Sequence, residues 1–353
     1  MNGSMHQPHI ILRGILLLLI MVVLSSCGAP DREWSTWRPV DGSKPPQDTG
    51  GLQATLHYNP AASGGRAGRS QAADDMLAAF HAGSTLNESL AGGTVEYYTR
   101  VWPGGGRLDY VVAILDDQVD VRVITANGAR VGSDITGNTV WVDGGRHLQT
   151  VIDMAGSRHA LHDGMAPVAA MAFGFHGAER TSDEGSIVVD GFVQRLHPRR
   201  ATLCIGPDNS ATINLFDSRS IEQCEQAAGA GPLLLRHGKI ANPDVQAETE
   251  LYVPYNPLHE DFAQLSYRID SYRGFRPKTA IGIGMLGDGR FFLVLANAEN
   301  INGMTMMTAL RDMGCYDASG GDDGSSTQMV WRGQAVAGRV GRAVPSAVAI
   351  YLR

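Results

Sequence analysis

The chain has 353 residues, 18% of them charged, with a net charge of −7. An acidic balance with no basic stripe excludes a nucleic-acid partner held through phosphate contacts. No C-x-x-C or H-E-x-x-H spacing occurs among its four cysteines and eleven histidines, which excludes the common zinc motifs.

Residues 1–27 read as an address. Arg13 gives a positive start, and residues 14–24 form an apolar run of signal-peptide length, too short to span a bilayer comfortably. The run ends Leu24-Ser25-Ser26-Cys27, which resembles a bacterial lipobox. That resemblance implies lipidation of Cys27 and a lipid-anchored protein of the bacterial cell envelope. Gly28 in place of Asp implies the outer membrane in a Gram-negative cell. Residues 28–70 are rich in Pro, Gly, Ser and charge and read as a flexible tether, with Trp34 and Trp37 docked incidentally. Residues 71–90 carry Met76, Leu77, Phe80, Leu86 and Leu90 at helical spacing. They predict one or two short helices, with Asp74 and Asp75 near the first N-terminus.

A β-rich body follows. Strands are expected at 94–102 and 107–115 around Pro103-Gly104-Gly105-Gly106, and at 118–125, where Val119, Val121 and Val123 alternate with polar residues. Residues 139–142 read as a short strand, 147–155 as a helix stopped by Gly156, and 166–175 as a buried strand. The segments 186–195, 201–205 and 211–216 continue the β pattern through Pro207-Asp208-Asn209. Residues 220–228 read as a short helix capped by Ser220. The expected fold is α+β: one β-rich domain over 71–353, with mixed or antiparallel sheets and a few flanking helices. Cys204 and Cys224 form the expected disulfide, leaving Cys315 free.

The last third is the most informative. Residues 278–332 hold two apolar β-rich runs, a loop crowded with Gly, Asp, Ser and Thr, and a third strand-like run. Gly320, Gly321 and Gly324 permit close backbone approach to a ligand, and polar loops between apolar strands commonly house binding or catalysis.

The order K-T-A-I-G (278–282), G-M-T (303–305), G-C-Y-D-A (314–318) and G-S-S-T (324–327) resembles the phosphodiester glycosidase family. The resemblance extends over about 95–353 and implies hydrolysis of sugar-1-phosphate diesters, with a glycan or glycosyl-phosphodiester as the partner. On that reading Asp322, Asp323 and Lys278 are the catalytic candidates. Arg276, Gly324, Ser325, Ser326, Thr327 and His176 are the substrate-binding candidates.

The chain also departs from the family pattern. Gly321 stands at the usual Asp of the loop and Lys278 at an Arg. Ala172-Phe173 replaces an Asn-Gly pair, Ala296-Asn297 replaces an Asp-Gly pair, and the helix between Thr305 and Gly314 is about one turn short. Asp322 is then the expected substitute for the carboxylate missing at Gly321. A family member without catalysis, binding glycans or an envelope partner, is the alternative. No cofactor is expected. Asp322 and Asp323 together would suit Mg²⁺ or Ca²⁺, although consecutive strand residues point to opposite faces. His159, His162 and Asp163 read as an exposed loop cluster, and His259, Glu260 and Asp261 as a loop cluster without metal spacing. Glu179 and Arg180 are remote candidates beside His176.

Overall fold

In the computed structural model, which describes residues 66–133, 139–143, 147–174, 185–240, 258, 260 and 274–353, the chain opens with helix α1 (Arg66–Ala82). Strands β1 (Thr85–Leu90), β2 (Val95–Val101), β3 (Arg107–Leu115) and β4 (Val119–Thr125) follow as an antiparallel series and its continuation. β5 (Val131–Ser133) and β6 (Thr139–Trp141) make a small ribbon, and α2 (Val151–Ala155) leads to β7 (Ala169–Met171). Next come β8 (Ile187–Val189), β9 (Phe192–Arg195), β10 (Thr202–Ile205), β11 (Ala211–Asn214), β12 (Gln226–Gly229), β13 (Leu233–Arg236) and β14 (Lys239–Ile240). The last third supplies β15 (Lys278–Met285), β16 (Phe291–Glu299), α3 (Gly303–Asp312), β17 (Asp317–Asp323), β18 (Met329–Trp331), β19 (Gln334–Ala335) and β20 (Ser346–Leu352).

Three larger sheets result, in the orders β1-β2-β3-β16-β15-β17-β13-β14, β19-β18-β7-β20-β4 and β11-β10-β12-β8-β9. Every strand pairing among the described residues is antiparallel. The fold is therefore β-rich α+β with few helices. All described residues fall in one unit, Pro60–Arg353.

The centre of the eight-stranded sheet explains the glycine pattern of K-T-A-I-G-I-G. A Cβ at Gly282 would stand 2.5 Å from the Cys315 sulfur and 3.1 Å from Leu310, so α3 and its exit turn lie directly on the strand. Asn302 caps α3 by accepting from the Thr305 N–H at 2.9 Å. Gly314, with φ of 84°, ends it in the left-handed conformation. Met306, Met307 and Leu310 fill the space between α3 and the sheet. Because side chains alternate, Lys278 shares the α3 side with Gly282, and Thr279 takes the opposite side.

Several expectations change. Residues 85–90 form a strand, since Leu86 and Leu90 alternate along the edge of β2 instead of completing a helical stripe. With α1 starting at Arg66, Asp74 and Asp75 lie mid-helix, and Asp74 accepts from the Gly287 N–H. β4 is buried on both sides, and Asp120 is admitted because Arg122, His162 and Arg353 contact it. The helix expected at 147–155 begins only at Val151, capped by Thr150. Residues 186–195 form a hairpin turning at Asp190-Gly191. The helix expected at 220–228 is a 3₁₀ turn over Ser220–Gln223, after which the chain enters β12. Asp217, not Ser220, accepts the turn's N–H groups. Cys204 and Cys224 are disulfide-bonded with Cα atoms 5.3 Å apart, and Cys315 is buried and free. Glu260 is buried and braces the backbone, accepting from Ala201 N–H at 2.9 Å and Leu233 N–H at 2.7 Å. Cys27, the tether to residue 65, His176, Glu179, Arg180, His259 and Asp261 lie outside the described residues.

Candidate active site

The G-G-D-D-G-S-S-T segment completes β17 and turns into β18. Ala280 pairs with Gly320, but Lys278 pairs with Asp323, so one extra residue is accommodated opposite Thr279. This is a β-bulge, a device that re-aims side chains at sheet edges and sites. Thr279 Oγ1 donates to the Asp322 carbonyl at 2.8 Å, and the Asp322 N–H donates to the Phe173 carbonyl at 2.9 Å. Gly321 is confined by the same contacts. A Cβ there would stand 2.4 Å from Thr279 Oγ1 and 2.7 Å from Phe173 Cδ2. Phe173, fully buried, fills the space a loop carboxylate at position 321 would need.

Two carboxylate–cation pairs flank the bulge. On one side Lys278, buried and in register with Asp323, donates through Nζ to the carbonyls of Gly274 at 2.5 Å and Arg276 at 3.0 Å. Burial lowers its ammonium to about 8; Asp323 opposes that shift, and Arg276 adds to it. On the other side the Asp322 carboxylate accepts from the Asp323 N–H at 2.9 Å and meets Arg342 Nη2 at 3.5 Å. Arg342 Nε also donates to Ser326 Oγ at 2.6 Å, and its backbone N–H donates to the Ser325 carbonyl at 2.8 Å.

The predicted residues are thus distributed rather than pooled. Asp323 and Lys278 are neighbours, while Asp322 and Ser326 are joined through Arg342. Arg276 is exposed and Ser325 exposed; Ser326 and Thr327 are buried. Gly324, at φ of 61°, donates its N–H to the Pro277 carbonyl and accepts from Arg339 at 2.7 Å. Asp322, only 2% exposed, is held as a brace of the turn. Asp323 is the less buried of the two. The carboxylates engage different partners, and no group of three His, Cys, Asp or Glu among the described residues is arranged to hold a metal.

Sequence reasoning missed the cross-strand row beside the bulge. Thr99, Asp109, Asn297 and Thr279 are successive register partners across β2, β3, β16 and β15, so their side chains share one face. Asp109 is fully buried and accepts from Tyr97 Oη (2.9 Å), Thr99 Oγ1 (2.7 Å) and Arg107 Nε (2.6 Å). Desolvation chiefly, with Asp109 assisting, pushes the Tyr97 hydroxyl up to about 12. Asn297 is 1% exposed, and neither amide atom has a partner among the described residues; the same holds for Thr327 Oγ1. Tyr97 also lines a cavity of about 400 Å³ with Glu88, Trp331 and Val336. No local spacing announces this row. Arg342 and Arg339 come from the connection after β19 and carry no motif either.

A family model for phosphodiester glycosidases matches residues 165–351, more than half of the chain. The chain belongs to the phosphodiester glycosidase family. The family suggests a hydrolase of phosphodiester-linked sugars. Among solved structures, a hypothetical protein from Synechocystis aligns with a TM-score of 0.55 at 11% identity. The alignment covers 76% of this chain, which spans 64% of that protein's length. The catalytic domain of zebrafish N-acetylglucosamine-1-phosphodiester alpha-N-acetylglucosaminidase, auto-inhibited by its pro-peptide, aligns at 17% identity with a TM-score of 0.47. That alignment covers 69% of this chain and 88% of that one. No curated protein sequence matches this chain.

Chemically, a phosphodiester glycosidase must neutralise phosphate, position water or a carboxylate at the anomeric carbon, and stabilise an oxocarbenium-like transition state. In this family member the bulge places the partly buried Asp323 in register with the buried Lys278, whose ammonium is lowered to about 8, next to an exposed Ser325.

Proposed function

We propose that the protein is a membrane-tethered hydrolase of sugar-1-phosphate diesters in envelope glycans or exopolysaccharide. The observation that carries this reading is the Asp323–Lys278 register pair at the end of the bulged loop. Asp323 takes a proton from water attacking the anomeric carbon, and the phosphomonoester leaves without needing a strong acid. Lys278 offsets the charge around Asp323 and the departing phosphate. Asp322, Arg342 and Ser326 hold the loop in shape. The test is a methyl diester of N-acetylglucosamine 1-phosphate: free sugar and methyl phosphate are expected. Binding of the compound with no turnover favours the second reading, a glycan-binding family member without catalysis. The plugging of position 321 by Phe173 is what speaks for that alternative.

The tether is Cys27, in a Leu-Ser-Ser-Cys context. No helix among the described residues is long and apolar enough to cross a membrane. A lipidated Cys27 would place the protein in the cell envelope, at the outer membrane of a Gram-negative cell. Cys27→Ser is expected to move the protein from the membrane to the soluble fraction, or to block its maturation. A Ser variant that still sediments with membranes sinks the proposal.

A further inference from the structure

A second cavity, of about 420 Å³, opens between β4, the turn at Arg158–Ala160 and the β8–β9 hairpin, and no residue of the 320–327 loop lines it. Its volume is in the range of small-ligand sites. Arg122 forms the floor, its guanidinium held by Asp120 at 2.9 Å, by Asp190, and by the His162 ring at 3.1 Å. Asp190 also accepts from Gln226 Nε2 at 2.7 Å, and Gln226 Oε1 accepts from the Val123 N–H at 3.0 Å. The polar floor is therefore fixed before any ligand arrives. Asp190 and Gly191 both have positive φ, 54° and 72°, and the tight turn they make projects Phe192 at the rim. Phe192 remains 55% exposed even with the Arg130 guanidinium 5.1 Å from its ring centroid. Behind the hairpin, Val188 and Val193 pack against the Cys204–Cys224 disulfide, which keeps the rim in place.

The charge arrangement selects the ligand class. Arg122 already faces two carboxylates, so an anion at the floor would have to displace one that is tied by other bonds, while Arg130, the other arginine of the lining, lies over the Phe192 ring at the rim. A neutral polyol has no such competition: a fixed guanidinium and carboxylate give it donors and acceptors side by side. The exposed aromatic ring gives the C–H face of a sugar an apolar surface. We propose that this cavity is a second carbohydrate site that binds a neutral pyranose unit, stacked on Phe192 and hydrogen-bonded to Asp190 and Arg122. Binding here needs no turnover at the loop, so it stands or falls independently of the hydrolase reading.

Saturation-transfer NMR on the folded protein, with N-acetylglucosamine, glucose and galactose as probes, tests this. At least one sugar is expected to bind, to weaken by about tenfold in Phe192→Ala, the scale of one aromatic contact, and to recover in Phe192→Tyr. Inorganic phosphate should not compete. Phe192 is a surface residue, so equal melting temperatures of the variants confirm that folding is intact. The proposal is overturned if none of the three sugars binds, if Phe192→Ala binds as wild type does, or if phosphate displaces the sugar.

Discussion

Two phenylalanines separate the two polar regions of this molecule. At the bulged loop, Phe173 is fully buried and occupies the space beside Gly321, so the polar groups there are bound to one another around an apolar plug. At the hairpin cavity, Phe192 is outside, and the polar groups form a floor beneath an open ring. Both regions pair arginine with aspartate; what differs is where the apolar side chain went. Buried, it excludes solvent and fixes a turn; exposed, it leaves an accessible face for a partner.

Turnover at the loop should respond most strongly to substitution. Asp323→Asn is expected to lower hydrolysis of the methyl diester by about 10²–10⁴, the usual cost of a lost general base. Asp322→Asn should act mainly through stability, because it removes the Arg342 contact from a buried brace. Equal, small effects on rate from both would leave only the binding reading of the loop.

The next effect is on stability at the hairpin. The Cys204–Cys224 bridge closes a separation of 20 residues, which by loop-closure entropy contributes about 3 kcal/mol. Cys204→Ser should lower the melting temperature in oxidising buffer and bring it level with reduced wild type. An unchanged melting temperature would show that the hairpin is held by packing alone.

A similar magnitude is expected from pH at the loop. Lys278 has its folded pKa near 8, below the 10.5 of an unperturbed lysine. Between those values the unfolded chain holds a proton that the folded chain has released, so folding stability should rise from pH 8 to 10.5. As pH falls from 10.5 to 8, stability on the order of 3 kcal/mol is therefore lost, and below 8 the slope vanishes. Thermal melts of wild type and Lys278→Met should show that slope in the first and not in the second. Parallel curves would mean that Lys278 is solvated.

The smallest effect tests the plug itself. Gly321→Asp alone should destabilise by about 1–3 kcal/mol through overpacking. Phe173→Gly, which by itself empties a buried site at a cost of about 3–5 kcal/mol, should combine with Gly321→Asp for less than the sum of the two losses, because it removes the atom 2.7 Å from the new Cβ. Additive losses in the double variant would show that the two positions are not coupled.

Most of the β framework was legible because it is local. Arg107–Leu115 follows from its apolar run and the Pro-Gly turn before it, and the β15–loop–β18 order follows from the glycine, aspartate and hydroxyl pattern. The first strand was not legible: Leu86 and Leu90 fit a helix as well as a strand until β2 supplies hydrogen-bond partners. Within the site, the sequence marks Lys278 and the two aspartates, yet it cannot rank them. One bulged residue opposite Thr279 sends Asp322 to Arg342 and Asp323 to Lys278.

The family pattern of residues 278–327, the β-rich class and the Leu-Ser-Ser-Cys context of Cys27 can be read from the order of amino acids. These rest on contiguous residues and need no partner. Tertiary structure alone decided which side chains meet. Asp109 and Asn297 became neighbours through strand register, Arg342 reached Ser326 from 16 positions along the chain, and Asp190 joined Arg122 from 68 positions away. Phe173 met Gly321 because β7 pairs with β18 beside the bulge. Such contacts are set by which strands pair and in what register, and no spacing within one segment encodes that pairing.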